Sequence, residues 1–426
     1  MESLESLQNG LYLAAKADGG REFYSLHDKI CRKDVLWEAW RRVRANRGTN
    51  GEDNQTISDI EEYGVDRFLS ELREELMCET YRVQRIRRVF IPKRDGSQRP
   101  LGIPTVKDRV VQQAVRLVIE PIFEADFQPF SYGYRPNRSA KQASEAVYKW
   151  LCFGLTSVID IDIKGFFDRI NHEKLLSFVR ERIADPYINK LIGEWLRAGV
   201  VYLGRVTHPE EGTPQGGVIS PLLANIYLNK LDTWWSELAM DRKGGHDAHM
   251  VRYADDIVIL APSNDDTKHI QAVFESLLEE LGLVLNIEKS GIITASEGFD
   301  FLSFRFIKRF RTRKRKEVAL FFPSRRAVQR FKERVREIAS IKTCNLKDER
   351  QLARELNLFM IGWSNYFNHS HASEAYHHLK KFVDWKFRQF IRFRHKLRWL
   401  SFEQHPFSEL EAYGLVQLAG RISHSE

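Results

Sequence analysis

The stretch Tyr253-Ala254-Asp255-Asp256 constrains this chain most. Two adjacent carboxylates stand between apolar runs, Met250-Val251 before and Ile257-Val258-Ile259-Leu260 after. The β-branched residues favour strands, and the aspartate pair falls where a hairpin would turn. Unpaired carboxylates beside a buried sheet are costly unless a cation neutralises them. Oxygen-only donors at such a turn suit a hard ion such as Mg2+. Taken alone the tetrapeptide is also an ordinary Asx-rich turn, so the rest of the chain must decide.

A second acidic segment lies upstream, Val158 to Ile163, followed by Lys164, Gly165, Phe166, Phe167 and Asp168. Strand alternation puts Val158, Asp160 and Asp162 on one face and Ile159, Ile161 and Ile163 on the other. Two strands with aspartates at neighbouring tips can hold a metal pair about 3.5–4 Å apart, the spacing of in-line phosphoryl displacement. One ion would activate a 3′-hydroxyl and the other would stabilise departing pyrophosphate. Polymerases, nucleases and phosphatases all fit this much.

The order of the remaining motifs chooses between them. They are Ile91–Pro104 (IPKRDGSQRPLGIP), Ser131–Ser139 (SYGYRPNRS), the Asp162–Asp168 segment, Gly212–Pro221 (GTPQGGVISP), Tyr253–Asp256, Leu281-Gly282 through Lys289, and Phe299–Leu302. In that order they resemble the blocks of reverse transcriptases of the group II intron-encoded lineage, over about Phe23 to Leu415. The last five match motifs A to E of that family.

The resemblance implies metal ligands Asp162, Asp255 and Asp256, with Ile163 beside Asp162 in the ligand set. Asp160 is the competing motif A ligand. Asp162 is preferred because Phe167 follows five residues later, where the family carries its steric gate against a 2′-hydroxyl. Lys93 and Arg99 flank Asp95-Gly96, a hairpin-turn dipeptide that projects two bases toward one point. They match the residues that bind nucleotide phosphates, and Gln215 and Lys289 complete the nucleotide set. Arg135, Arg311, Arg313, Lys314, Arg315, Trp363 and Tyr366 are expected on nucleic acid. The last two lie in Gly362–Phe367 (GWSNYF), which resembles the maturase signature of the lineage. Asp168 is expected to cap the helix starting at His172, and Ser220 the helix continuing through Pro221.

Charge agrees with a nucleic-acid enzyme. The net charge is +8, and from Lys308 to Lys316 seven of nine residues are Lys or Arg. Further basic residues run through Arg325–Arg336 and Arg388–Arg398, interleaved with Trp385, Phe387, Phe390, Phe393 and Trp399. Such faces suit a groove that tracks a phosphate backbone. Cys31, Cys78, Cys152 and Cys344 are dispersed, with no zinc spacing, which points to a reducing cytoplasm. His369, His371, His377 and His378 cluster without a completing Cys or acid, so surface or RNA-contacting histidines are expected. No signal peptide or 18-residue apolar run occurs, so no membrane partner is expected.

The expected architecture is an α+β right-hand polymerase. Residues 1–65 form a helical extension, 66–155 the fingers, 156–305 a palm with a small antiparallel sheet, and 306–426 a basic helical thumb. Its chemistry uses two Mg2+ ions (Mn2+ as substitute), deoxynucleoside triphosphates, a structured RNA template and an RNA/DNA duplex. The Gly48–Asn54 run departs from the family's Gly-x-x-Gly-x-Asp-Gly. Only eleven residues follow Leu415, which leaves no room for an attached nuclease. On that ground the expected role is antiphage defence with an adjacent non-coding RNA. The alternatives are an intron-encoded maturase, or an RNA-binding splicing cofactor without polymerase activity.

Overall fold

A computed structural model of the protein describes residues 3–92, 98–207, 210–214, 216–241, 247–262, 264–311, 315–343, 346–397 and 407–418. The chain divides into two compact units: residues 1–139, 161–257 and 268–291, and residues 140–160, 258–267 and 292–426.

The first unit is organised around helix Val106–Glu124, whose N-cap Thr105 accepts from Asp108 N. Val110, Val111, Ala114, Val115, Leu117 and Val118 are all fully buried, so the helix is wrapped on every side. Helices Leu4–Ala17 and Lys33–Ala45 pack against it. The latter buries Val35, Leu36, Ala39, Trp40 and Val43, one face at helical spacing. Strand Ile86–Pro92 pairs antiparallel with Gln98–Ile103, placing Ile91 opposite Arg99. The hairpin tip, including Lys93, Asp95 and Gly96, lies outside the described residues. The same sheet continues through Val200–Tyr202 and Arg205–Thr207.

The divergent Gly48–Asn54 loop is held by protein groups. Arg87 Nη2 donates to Asn50 O at 2.5 Å, and Arg109 Nη2 donates to Thr49 O. At Gly51 a side chain would meet the Thr105 backbone at 2.6 Å, so only glycine lets the loop seat there.

Two caps differ from expectation. Helix His172–Arg180 is capped by Asn171, whose side chain accepts from Lys174 N. Asp168 instead ends a 3-10 turn, Phe166–Asp168, and Arg169 and Ile170 separate it from the helix. Helix Ser220–Glu237 starts one residue early, with Ile219 at the N-cap. The Ser220 hydroxyl donates to Pro214 O at 2.9 Å and closes the preceding loop on itself.

A four-stranded sheet has the order His249–Tyr253, Asp256–Ala261, Ser157–Asp162, Gly291–Thr294. In the second unit, Phe299–Phe301, Phe304–Arg311 and Lys316–Pro323 form an antiparallel meander. Its register puts Phe306 opposite both Phe299 and Phe321, and the rings stack at 5.3 and 5.5 Å between centroids. Helices Arg325–Ile338, Glu349–Phe367 and Ser373–Arg394 follow. His369 departs from the expected surface role. It packs against Phe304 and Phe321, and its Nε2 lies 2.9 Å from Ser144 Oγ. Among the described residues no helix is long and apolar enough to cross a membrane.

Candidate active site

The Tyr253–Asp256 turn is a tight reversal between two strands, with Ala254 in the left-handed region at φ 56°. Asp255 occupies the turn and Asp256 opens the next strand. Buried hydrogen bonds hold this reversal from below. The Arg252 side chain is fully buried; its Nε donates to Asp232 Oδ1 at 2.8 Å and its Nη2 to Asp232 Oδ2. Its Nη1 donates to Asn225 Oδ1 and to Ala254 O, both at 3.1 Å. From the other side Gly133 presses its backbone on the turn, where a Cβ would collide with Ala254 N. Asn225 Nδ2 donates to Gly133 O at 2.7 Å and so joins the two supports.

Asp162 comes from the end of strand Ser157–Asp162, half exposed. Its Oδ2 accepts from Asn286 Nδ2 at 2.7 Å and lies 3.9 Å from Lys289 Nζ. Its backbone is tied to Ser290 Oγ and Asn286 N. Ile163 buries its apolar side chain and bridges Leu285, so only its carbonyl oxygen could serve a cation. Burial raises the Asp255 carboxyl above its ordinary value, and the charge of Asp162 adds to this while Arg99 and Arg252 oppose it. Asp256 reaches solvent, yet crowding by protein atoms and the charges of Asp255 and Asp162 push it up to about 6. The three carboxylates therefore share one field, with Arg99 at its edge. That field attracts a cation.

Among the described residues no three His, Cys, Asp or Glu side chains are grouped so that they could hold a metal ion. Asp162, Asp255 and Asp256 offer only oxygen donors, the type that a hard divalent cation takes.

Phe167 is half-buried beside the fully packed Phe166, with ring centroids 5.2 Å apart, so it is not simply core. Its carbonyl accepts from Thr213 N at 2.8 Å, and Ile170 O accepts from Gly212 N at 2.8 Å. His172 Nε2 donates to Gly212 O at 2.7 Å. Gln112 Oε1 accepts from Val218 N at 2.9 Å. At Gly216, φ +119°, a Cβ would meet Gly102 O at 2.5 Å. These contacts fasten the glycine loop between the aspartate strand and the hairpin sheet. Gln215 lies outside the described residues.

Arg135, expected on nucleic acid, faces protein. It is 7% exposed; Nε and Nη2 donate to Glu124, and Nη1 donates to the carbonyls of Gln128 and Ser131. With its donors spent internally, it anchors the Ser131–Ser139 loop. Trp363 packs against Phe331, Phe367 and Tyr376. Tyr366 stacks on Phe304, and its hydroxyl donates to Leu302 O at 2.9 Å, bracing the turn where Leu302 and Ser303 both have positive φ. Arg315 is exposed; Arg313, Lys314 and the Arg311 side chain lie outside the described residues. The sequence reading missed Arg252, Asp232, Asn225, His172, Gln112, Asn286 and Ser290. The one local signal was a basic residue directly before an apolar-flanked acidic turn.

An RNA-dependent DNA polymerase family, described as reverse transcriptase, matches residues 91–306. A group II intron maturase-specific domain matches residues 328–404. The chain belongs to the reverse transcriptases, within the group II intron-like branch, and is an RNA-directed DNA polymerase of α+β fold. It is 34% identical to Protein YkfC of Escherichia coli over 347 residues, covering 72% of this chain and 89% of that protein. It is 35% identical to the group II intron-encoded protein LtrA of Lactococcus lactis over 221 residues, 51% of this chain and 36% of LtrA. Nuclear intron maturase 4 of Arabidopsis thaliana is 29% identical over 218 residues, 50% of this chain and 25% of that protein.

Proposed function

We propose that this chain copies a structured RNA related to group II introns into DNA, with Asp162, Asp255 and Asp256 as its catalytic carboxylates. One observation carries the reading: Asp162, at the end of its strand, acts by its charge on both aspartates of the Tyr253–Asp256 turn, in a chain that matches both the polymerase family and the maturase-specific domain. Asp162 rather than Asp160 is taken as the strand ligand, because its charge acts on both residues of the turn. The oxygen-only set fits Mg2+, which when bound supplies Lewis-acid stabilisation of the attacking and departing oxygens. Arg99 and Lys289 border the carboxylates, as triphosphate-binding cations would. Lys93 and Gln215 complete that set in the family pattern, as Phe167 does at the sugar.

The maturase match shifts the preferred biology from defence toward intron RNA. The defence reading rested on where the chain ends, which carries no weight. Sequencing the RNA and DNA that copurify from the host decides between them. The intron reading expects the ribozyme flanking or enclosing the gene, and splicing promoted even by an Asp255→Ala/Asp256→Ala protein. A short dedicated non-coding RNA with its complementary DNA would overturn it in favour of defence. The same double variant should lose deoxynucleotide incorporation by far more than tenfold on a primed RNA, with RNA affinity kept. Activity within a few-fold of wild type would remove the carboxylates from the chemistry.

A further inference from the structure

Tyr134 has no assigned part in the reaction, and its setting is costly. It holds φ +57° although it is neither glycine nor a small polar residue, and half its surface is exposed. A bulky residue in the left-handed region is an outlier that the surrounding structure must enforce. Here both neighbours enforce it. Gly133 is pinned on the Ala254 backbone, and its carbonyl accepts from the Asn225 amide. Arg135 is locked on Glu124 and two carbonyls. Tyr132 N donates to Arg252 O at 2.8 Å, so the loop is registered on the strand that leads into the catalytic turn.

The ring so displayed stands 6.3 Å from that of Tyr253, at 45° to it. Burial, then the charges of Asp255 and Tyr253, raise its hydroxyl, and Arg99 lowers it, so the side chain shares the field of the carboxylates. A ring held open and strained beside a charged reaction centre gains nothing for the core. It suits a ligand with an apolar face and a charged end, which describes a nucleotide.

We infer that Tyr134 is a substrate-contacting residue, its ring receiving the sugar and base of a nucleotide at the reaction centre beside Tyr253. This rests on the carboxylates Asp162, Asp255 and Asp256 being that centre. The nucleotide is either the incoming triphosphate or the last pair of the primer duplex.

Three variants of the full chain test it: Tyr134→Phe, Tyr134→Ala and Tyr134→Gly, each assayed for primer extension, duplex affinity and urea unfolding. The phenylalanine variant should stay within about threefold of wild type. The alanine variant should lose roughly tenfold or more in kcat/KM, the scale of one lost stacking contact. A rise confined to the KM for deoxynucleotide assigns the ring to the incoming nucleotide. Weakened duplex binding assigns it to the primer end. Glycine relieves the backbone strain, so Tyr134→Gly should unfold at the same or higher urea while losing activity like alanine. Retained kcat/KM and duplex affinity within twofold in Tyr134→Ala would overturn the inference, as would Tyr134→Gly losing stability along with activity. Duplex affinity and unfolding are read without turnover. An active Asp255→Ala protein would therefore count against the carboxylate reading alone.

Discussion

At the scale of single residues, Arg252 links stability to chemistry. Its guanidinium neutralises Asp232 where neither side chain meets solvent, and the same group holds the Ala254 carbonyl beneath the aspartate pair. Arg252→Met leaves Asp232 buried without its partner, which should cost about 3–5 kcal/mol in urea unfolding. Adding Asp232→Leu removes the orphaned carboxylate and should restore much of that stability. Activity should stay low in the double variant, because Ala254 O still lacks its donor. Recovery of activity together with stability would reduce Arg252 to a packing role. Phe167 makes a separate claim at this scale. Phe167→Val should narrow the preference for deoxy- over ribonucleotides by a few kcal/mol at most, as shape-based selection does. An unchanged ratio of the two kcat/KM values would place the gate elsewhere.

At the scale of elements, the second unit contains an acid-sensitive joint. Ser144 Oγ donates to Lys141 O at 2.8 Å, so His369 Nε2 must be the donor to Ser144. Among the described residues Nδ1 is then a buried acceptor without a partner, and a proton there would find no acceptor among them. Burial, helped by Lys141, lowers His369 to about 4. An unfolded histidine titrates near pH 6.5, so between the two values the unfolded chain binds more protons. The contribution of His369 is therefore complete above about pH 6.5 and is lost as pH falls toward 4. Allowing for its partial solvent access, the loss between pH 7 and pH 5 should be about 1 kcal/mol. His369→Gln can still bond Ser144 but cannot charge, so its urea midpoint should fall less over that range. Equal pH dependence in both proteins would refute the assignment. This histidine also marks what the sequence could not reveal. Four histidines within ten residues read as a polar surface, because nothing local says that His369 meets Ser144, 225 positions away. Elements with their own local signal were legible, as helix Lys33–Ala45 and the hairpin strands flanking Asp95-Gly96 illustrate. Asp255 and Asp256 were legible too, because an acidic pair between apolar strands contradicts burial. Asn286 on Asp162 and Gln112 on Val218 join residues more than a hundred positions apart, and no spacing announces them. The misplaced caps at Asp168 and Ser220 have a smaller cause: a 3-10 turn and a side chain drawn back to Pro214 shifted where each helix begins.

At the scale of the whole molecule, the excess of positive charge has a place. Helix Arg325–Ile338 turns Ala327, Phe331, Val335 and Ile338 inward and leaves Arg325, Arg326, Arg330, Arg334 and Arg336 exposed. Arg334 is paired with Glu337 and Arg330 bonds Ser303, whereas Arg336 lies over the Phe382 ring. Arg325 and Arg326 are therefore the cleanest probes of whether this face meets RNA phosphates. Each phosphate neutralised by the protein releases condensed counterions, so log affinity falls linearly with log salt, by roughly 0.7–0.9 per contact. Arg325→Gln/Arg326→Gln should weaken binding of the structured RNA and make its salt dependence shallower by about one to two in slope. Polymerisation on saturating primed template should stay near wild type, since neither residue belongs to the carboxylate site. An unchanged slope with unchanged affinity would mean that this face does not touch the RNA, and that the charge serves solubility. A weaker affinity at constant slope would point to altered folding of the helix rather than to lost phosphate contacts.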